Sequence, residues 1–127
     1  MEGQVRTWAC PFPFMFKPSR RLQKWYEKYN KLYWDGRLTN VTVGWDSELK
    51  GDREGLTISI QEVEDTTCLF HQIHLNENLK EASRNYVLMT LLHELCHVAC
   101  YPYMKHGRLW QNEMKRIAMN DAFEKLW

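Results

Sequence analysis

His93 and His97 stand four residues apart with Glu94 between them, inside an apolar run covering residues 87–99. The run has the length and spacing of a helix, where residues four apart lie one above the other on one face. Two imidazole nitrogens delivered in this way reach one metal ion, and the glutamate between them comes close to a water on that ion. H-E-x-x-H is the zinc signature of metalloproteases, with the glutamate as general base. The alternative is a buried helix that happens to carry two histidines, and the residues that follow argue against it.

Pro102 disfavours helical geometry at the residue before it and has no N–H to donate, so the helix must end near Tyr101. A short loop then leads to His106-Gly107 and a second amphipathic segment. A third imidazole delivered just past a chain reversal suits a tetrahedral site whose fourth position is left to water. Metzincins are excluded, because they need glycine and histidine where this chain has Cys100 and Tyr103. Gluzincins take their third ligand from a later helix, and Glu113 is the residue that could serve. His106 is preferred, since imidazole is the commonest protein ligand for zinc.

With these residues in view, the chain resembles the SprT-like zinc metalloprotease domain, the catalytic part of Spartan-type proteases. The resemblance rests on Thr90-Leu91-Leu92-His93-Glu94-Leu95-Cys96-His97 followed by His106-Gly107-Arg108-Leu109-Trp110, which meets the family pattern H-E-x-x-H, loop, H-G-x-x-W. Upstream, Tyr29-Asn30-Lys31-Leu32-Tyr33-Trp34-Asp35-Gly36-Arg37-Leu38 is similar to the family's first helix and turn, and the match runs over residues 18–127. The resemblance implies peptide-bond hydrolysis and, in the best-known branch, destruction of proteins crosslinked to DNA. Many members carry a zinc ribbon after this domain, and longer relatives add DNA-binding or partner-docking segments. No ribbon is present up to Trp127, which weakens the DNA-linked implication and leaves the hydrolytic one intact.

At 127 residues the chain is long enough for one core, and six tryptophans argue for a folded globule. The expected architecture is α+β, a single domain over residues 18–127 preceded by an irregular segment, residues 1–17. A small three-stranded sheet packs with an N-terminal helix, the zinc-binding H-E-x-x-H helix and a C-terminal helix. Pro18-Ser19 opens the first helix and Asp35-Gly36 ends it. Its apolar side carries Leu22, Trp25, Tyr26, Tyr29, Leu32 and Tyr33. Strands are expected where Val41, Val43 and Trp45, then Leu56, Ile58 and Ile60, then Leu69, His71, Ile73 and Leu75 alternate with their neighbours. Asn76 or Asn78 is the expected cap of the metal-binding helix. The final helix, from about Gly107, should bury Trp110, Met114, Ile117 and Ala118.

No apolar run reaches membrane-spanning length, and the N-terminus has no charged-then-apolar leader pattern, so the expectation is an intracellular protein, cytoplasmic or nuclear, and monomeric. Cys10, Cys68, Cys96 and Cys100 form no paired C-x-x-C array, and reduced thiols are the simpler reading. Cys96 reads as a small buried hydrophobe. The thiolate of Cys10 is a candidate metal cap imposing latency, against the simpler reading that residues 10–14 pack by their aromatics.

Charge is uneven although the chain totals +1. Residues 1–40 hold eight Lys/Arg against three Asp/Glu, residues 41–85 four against nine, and residues 86–127 five against four. Arg20, Arg21, Lys24, Lys28 and Lys31 fall within a stripe roughly 100° wide, opposite the apolar face of the first helix. A solvated face is the ordinary reading, and a phosphate-tracking surface for single-stranded DNA is the alternative.

The function expected from the residues is zinc-dependent peptide hydrolysis of a protein or peptide substrate. His93, His97 and His106 hold one Zn2+ per chain, and Glu94 is the base. Tyr101, Tyr103 and His74 are candidates for the donor that stabilises the oxyanion, and the strand near Leu69 to Leu75 is the expected rim against which extended substrate pairs. His71 and His74, on opposite faces of that strand, are otherwise structural. The alternative is a catalytically inactive zinc-containing nucleic-acid-binding or protein-interaction module on the same scaffold.

Overall fold

A computed structural model describes residues 16–49, 52–61, 69–103, 105–124 and 126, and every statement below concerns these. Cys10, with the latency role considered for it, lies outside them, as does Cys68. The elements run in the order strand β1 (Phe16–Pro18), helix α1 (Arg20–Trp34), strands β2 (Val41–Asp46), β3 (Gly55–Gln61) and β4 (Leu69–Asn76), a 3₁₀ turn (Glu77–Glu81), helix α2 (Arg84–Ala99) and helix α3 (Arg108–Met119).

Ser19 caps α1, its hydroxyl accepting the Leu22 N–H at 3.2 Å. Asp35 closes the helix in the left-handed conformation, and its N–H returns to the Asn30 carbonyl. Leu22, Tyr26, Tyr29, Asn30 and Trp34 are buried. The buried stripe follows steps of three and four, so by the last turn it passes through Trp34, which is 2% exposed, while Leu32 is 58% exposed. The expected burial of Leu32 is therefore corrected. Buried Asn30 fixes the chain beyond the helix: its amide donates to the Leu38 carbonyl at 2.7 Å, and its side-chain oxygen accepts the Leu38 N–H at 3.0 Å.

The sheet has four strands in the order β1-β2-β4-β3, not the three expected. The added strand begins at Phe16, so Phe16 and Lys17 belong to the sheet and not to an irregular segment. Three residues give too short an alternation for the pattern to be read. β1 and β2 are antiparallel and cross so closely at Gly44 that a Cβ there would strike the Lys17 backbone. β2 and β4 run parallel, with Val43 opposite Ile73, and β3 pairs antiparallel on the far side of β4. β4 is thus an interior strand with both ladders filled, and β3 is an edge. The residues Leu69 to Leu75, expected as a rim, lie inside the described sheet, and its terminal strand on that side is β3.

The phase of β3 also differs from expectation. Thr57 pairs with Ile73 and Gly55 with Leu75, so Gly55, Thr57 and Ser59 face α2, while Leu56, Ile58 and Ile60 take the outer face and are half-buried. Apolar alternation marks which residues share a face; it does not say which layer that face meets. Val43, Ile73 and Leu75 from the sheet pack with Leu91, Leu92 and Leu95 of α2 and Ile117 of α3, all fully buried.

Asn76, one of the two expected caps of α2, instead receives the Asn78 N–H and opens the short 3₁₀ turn. Ser83 is the cap of α2, accepting from the Tyr86 N–H at 3.2 Å. α2 ends at Ala99, where the Cys100 N–H turns back onto the last carbonyls, ahead of Pro102. Cys96 is fully buried and Cys100 half-buried, both as free thiols. On α3, Ile117 is buried and Trp110 and Met114 partly so, whereas Ala118 is exposed, contrary to expectation. Among the described residues, no helix is long and apolar enough to cross a membrane.

Candidate metal centre

α2 carries His93, Glu94 and His97 to the sheet side of the helix and its exposed margin, and α3 begins just after His106. The Nε2 atoms of His97 and His106 lie 3.0 Å apart, their ring centroids 4.7 Å apart. At this distance one ring's N–H can donate to the lone pair of the other, and two facing lone pairs can equally be shared by a cation. Two donors on a tetrahedral ion, each about 2.0–2.1 Å from it, are separated by slightly more than the distance seen here. Protonation does not compete with this at neutral pH. Burial, and after it the neighbouring His106 and His93, push the His97 imidazole down to about 4.

His93 lies one turn earlier on the same helix. Its ring packs edge-on to Trp110 at 5.7 Å and to Phe123 at 6.3 Å. The surrounding protein lowers its pKa, and His106 lowers it further. Among the described residues no three His, Cys, Asp or Glu side chains are gathered at ligand distance. The chain thus brings His97 and His106 together and leaves His93 on the same helical face, its ring held by Trp110. His97 and His106 have the donor type and nearly the spacing that a zinc ion takes, and His93 is the same donor type on the same helical face, short of ligand distance.

Trp110, expected in the core, is half-buried beside the histidines. It is the plate on which the three rings rest. It stacks on His97 at 5.4 Å and 23°, meets His106 edge-on at 4.5 Å, and donates its indole N–H to the His93 carbonyl at 3.2 Å. His97 Nδ1 is buried with no hydrogen-bond partner, so stacking on Trp110 orients this ring, a task other metal sites give to a carboxylate or carbonyl. The H-G-x-x-W spacing carried that signal, since it places the indole one helical turn after His106.

Glu94 is 9% exposed. Its Oε1 accepts a 2.6 Å hydrogen bond from the Thr57 hydroxyl on β3. Burial raises its pKa, while the Thr57 bond and then the Arg53 charge pull in the opposite direction. A cleft of about 530 Å³ opens beside it, with Arg53, Gly55 and Thr57 on the strand side and Glu94, His97 and His106 on the helix side. A buried carboxylate beside the imidazoles of His97 and His106, at an open cleft, is an arrangement that can take a proton from water.

Glu113, the alternative third ligand, is engaged elsewhere. Its Oε2 accepts from the Trp34 indole at 2.6 Å and from Arg116 at 3.1 Å, and these bonds lower its pKa despite partial burial. Among the oxyanion candidates, His74 is 2% exposed on the outer face of the sheet, its Nδ1 2.7 Å from Asp46 and its Nε2 3.1 Å from Gln72. It is removed from consideration as a donor to the cleft. Tyr101 packs against His71, whose Nδ1 meets Ser59 Oγ at 2.7 Å, and Tyr103 is 65% exposed; neither lines the cleft. Arg20, Arg21, Lys24, Lys28 and Lys31 are all exposed on α1 and away from the cleft, and the Lys28 ammonium sits 4.8 Å from the Trp25 ring.

The sequence model of the SprT-like family matches residues 22–125. A search of curated proteins finds no match to this chain.

Proposed function

Because the chain belongs to the SprT-like family, we propose that it is a zinc-dependent metalloendopeptidase in which His93, His97 and His106 hold the ion and Glu94 is the general base. The observation that carries this reading is the convergence of His97 and His106 Nε2 at 3.0 Å beside a buried carboxylate on the same helix. A bound zinc ion would act as a Lewis acid on the scissile carbonyl and bring the pKa of water toward neutrality. Glu94 takes the proton of the attacking water and delivers it to the departing amine. A carboxylate at that position has no use in a purely structural metal site, which counts against the inactive-module reading. Trp110 packs against the imidazoles, and β3, the terminal strand of the described sheet, is the strand beside which an extended substrate would pair. Glu113, tied to Trp34 and Arg116, is left out of the ligand set.

The test is direct. Purified protein should contain about one zinc per chain, and a chelator should abolish cleavage of an unfolded casein-like substrate, with added zinc restoring it. Metal-free protein that cleaves as fast as the zinc-loaded form would overturn the assignment.

The exposed basic stripe supports a second partner, single-stranded DNA, next to the protein substrate. If all five cations track phosphates, affinity should fall about a hundredfold between roughly 50 and 200 mM salt, and reversing Lys24 and Lys28 to glutamate should weaken it at least about tenfold. The charges point away from the buried face, so folding should be unaffected. A fluorescence-anisotropy titration at low salt that detects no complex, or one indifferent to the double reversal, would reduce the stripe to a solvated face.

A further inference from the structure

One strand bonds one carboxylate oxygen of Glu94 and leaves space beside the other. The Thr57 hydroxyl has a single proton and gives it to Oε1 at 2.6 Å, with the Glu94 main-chain carbonyl a further 3.3 Å from the same hydroxyl. Two residues earlier on the same face stands Gly55. A Cβ there would lie 2.9 Å from Oε2, 3.0 Å from Cγ and 3.1 Å from Cδ of Glu94, closer than real side chains pack. Oε1 is bonded and Oε2 lies against bare backbone, so any methyl at position 55 would push the carboxyl out of place.

We propose that β3 is the positioning element of the base. Thr57 holds the Glu94 rotamer through Oε1, which leaves Oε2 to exchange the proton, and Gly55 keeps the space that this rotamer requires. Thr57 and Gly55 are positioning residues, since they act through Glu94, and the proposal rests on Glu94 being the base. It explains why the face of β3 turned to α2 carries glycine and hydroxyl residues where a core-facing strand would carry aliphatic ones. It also couples the substrate-pairing edge to the base, because both belong to the same short strand.

Thr57→Val removes the hydroxyl at nearly constant volume. It should lower kcat by about 10–100-fold, the range for a lost outer hydrogen bond at a metal site. KM should stay within about twofold, because the bond serves the chemical step and not substrate binding. Thr57→Ser, which keeps the donor, should restore most of kcat, and Gly55→Ala should lose at least as much as Thr57→Val. Zinc content should remain that of the unaltered protein in all three variants. A crystal structure of the zinc-loaded Thr57→Val protein should show the Glu94 carboxyl rotated away from β3, a readout independent of turnover. Unchanged kcat in Thr57→Val, an equal loss in Thr57→Ser, or an effect confined to KM would overturn the proposal. An unaltered protein that cleaves nothing would count against the peptidase reading instead, and the orientation of Glu94 in the Thr57→Val crystal would still decide whether β3 positions it.

Discussion

Glu94→Gln is expected to reduce kcat by about 10³-fold or more while leaving zinc bound and the fold intact. The amide is nearly isosteric with the carboxyl and can still meet the Thr57 hydroxyl, so the packing against Gly55 is preserved. What disappears is the capacity to accept a proton, which costs about 4 kcal/mol of transition-state stabilisation for a thousandfold loss. Metal analysis and thermal unfolding of the same preparation separate loss of the base from loss of the site. Activity near that of the unaltered protein would remove Glu94 from the mechanism.

His97→Ala should strip the metal and, with it, the linked stabilisation, about 3–4 kcal/mol when zinc is present at a hundred to a thousand times its dissociation constant. His106→Ala should also empty the site, because the facing Nε2 atoms are the pair that converges. Glu113→Ala should keep its zinc and still melt earlier, since the Trp34 indole N–H loses its 2.6 Å acceptor, a cost of about 1–3 kcal/mol for a buried donor. Zinc retained in His106→Ala and lost in Glu113→Ala would reverse the ligand assignment. The metal-free protein carries a pH signature of its own. The His97 imidazole is pushed down to about 4 by burial and by its imidazole neighbours, below its ordinary value of 6.5. The unfolded chain therefore binds more protons across that window, and the metal-free fold should lose stability as pH falls from about 6.5 toward 4.

The helix that carries residues 93, 94 and 97 was legible, because their grouping is a property of α2 alone and needs no other element. The start and end of α1 were legible for the same reason, through Ser19 and Asp35. Thr57 and Gly55 were not. Their part depends on which face of β3 meets α2, and an alternating strand reads equally well with either face inward. The aliphatic set lies on the outer face, and the face toward α2 carries Gly55 and Thr57, which adjoin the Glu94 carboxyl. Trp110 fell between these cases. Its position was visible, and its role required knowing that α3 folds back over the histidines. The placement of β4 inside the sheet followed from a long-range parallel pairing with β2, which no local pattern announces.

The bond from Trp34 to Glu113 spans 79 residues, and Arg116 reaches the Tyr33 carbonyl from the same turn of α3. For the proposed metal site it would set an order of assembly. His93 and His97 come together as soon as α2 forms, but His106 arrives only when α3 docks, and α3 is fastened to the helix that was synthesised first. For the proposed zinc site, a chain still on its way to the native state would offer two imidazoles, a weak and exchangeable grip, and the docking of α3 would convert that grip into a durable one. If the proposed site holds zinc, retention of the ion against a competing chelator during refolding should report the docking of α3, and half-folded molecules should lack a secure ion beside Glu94.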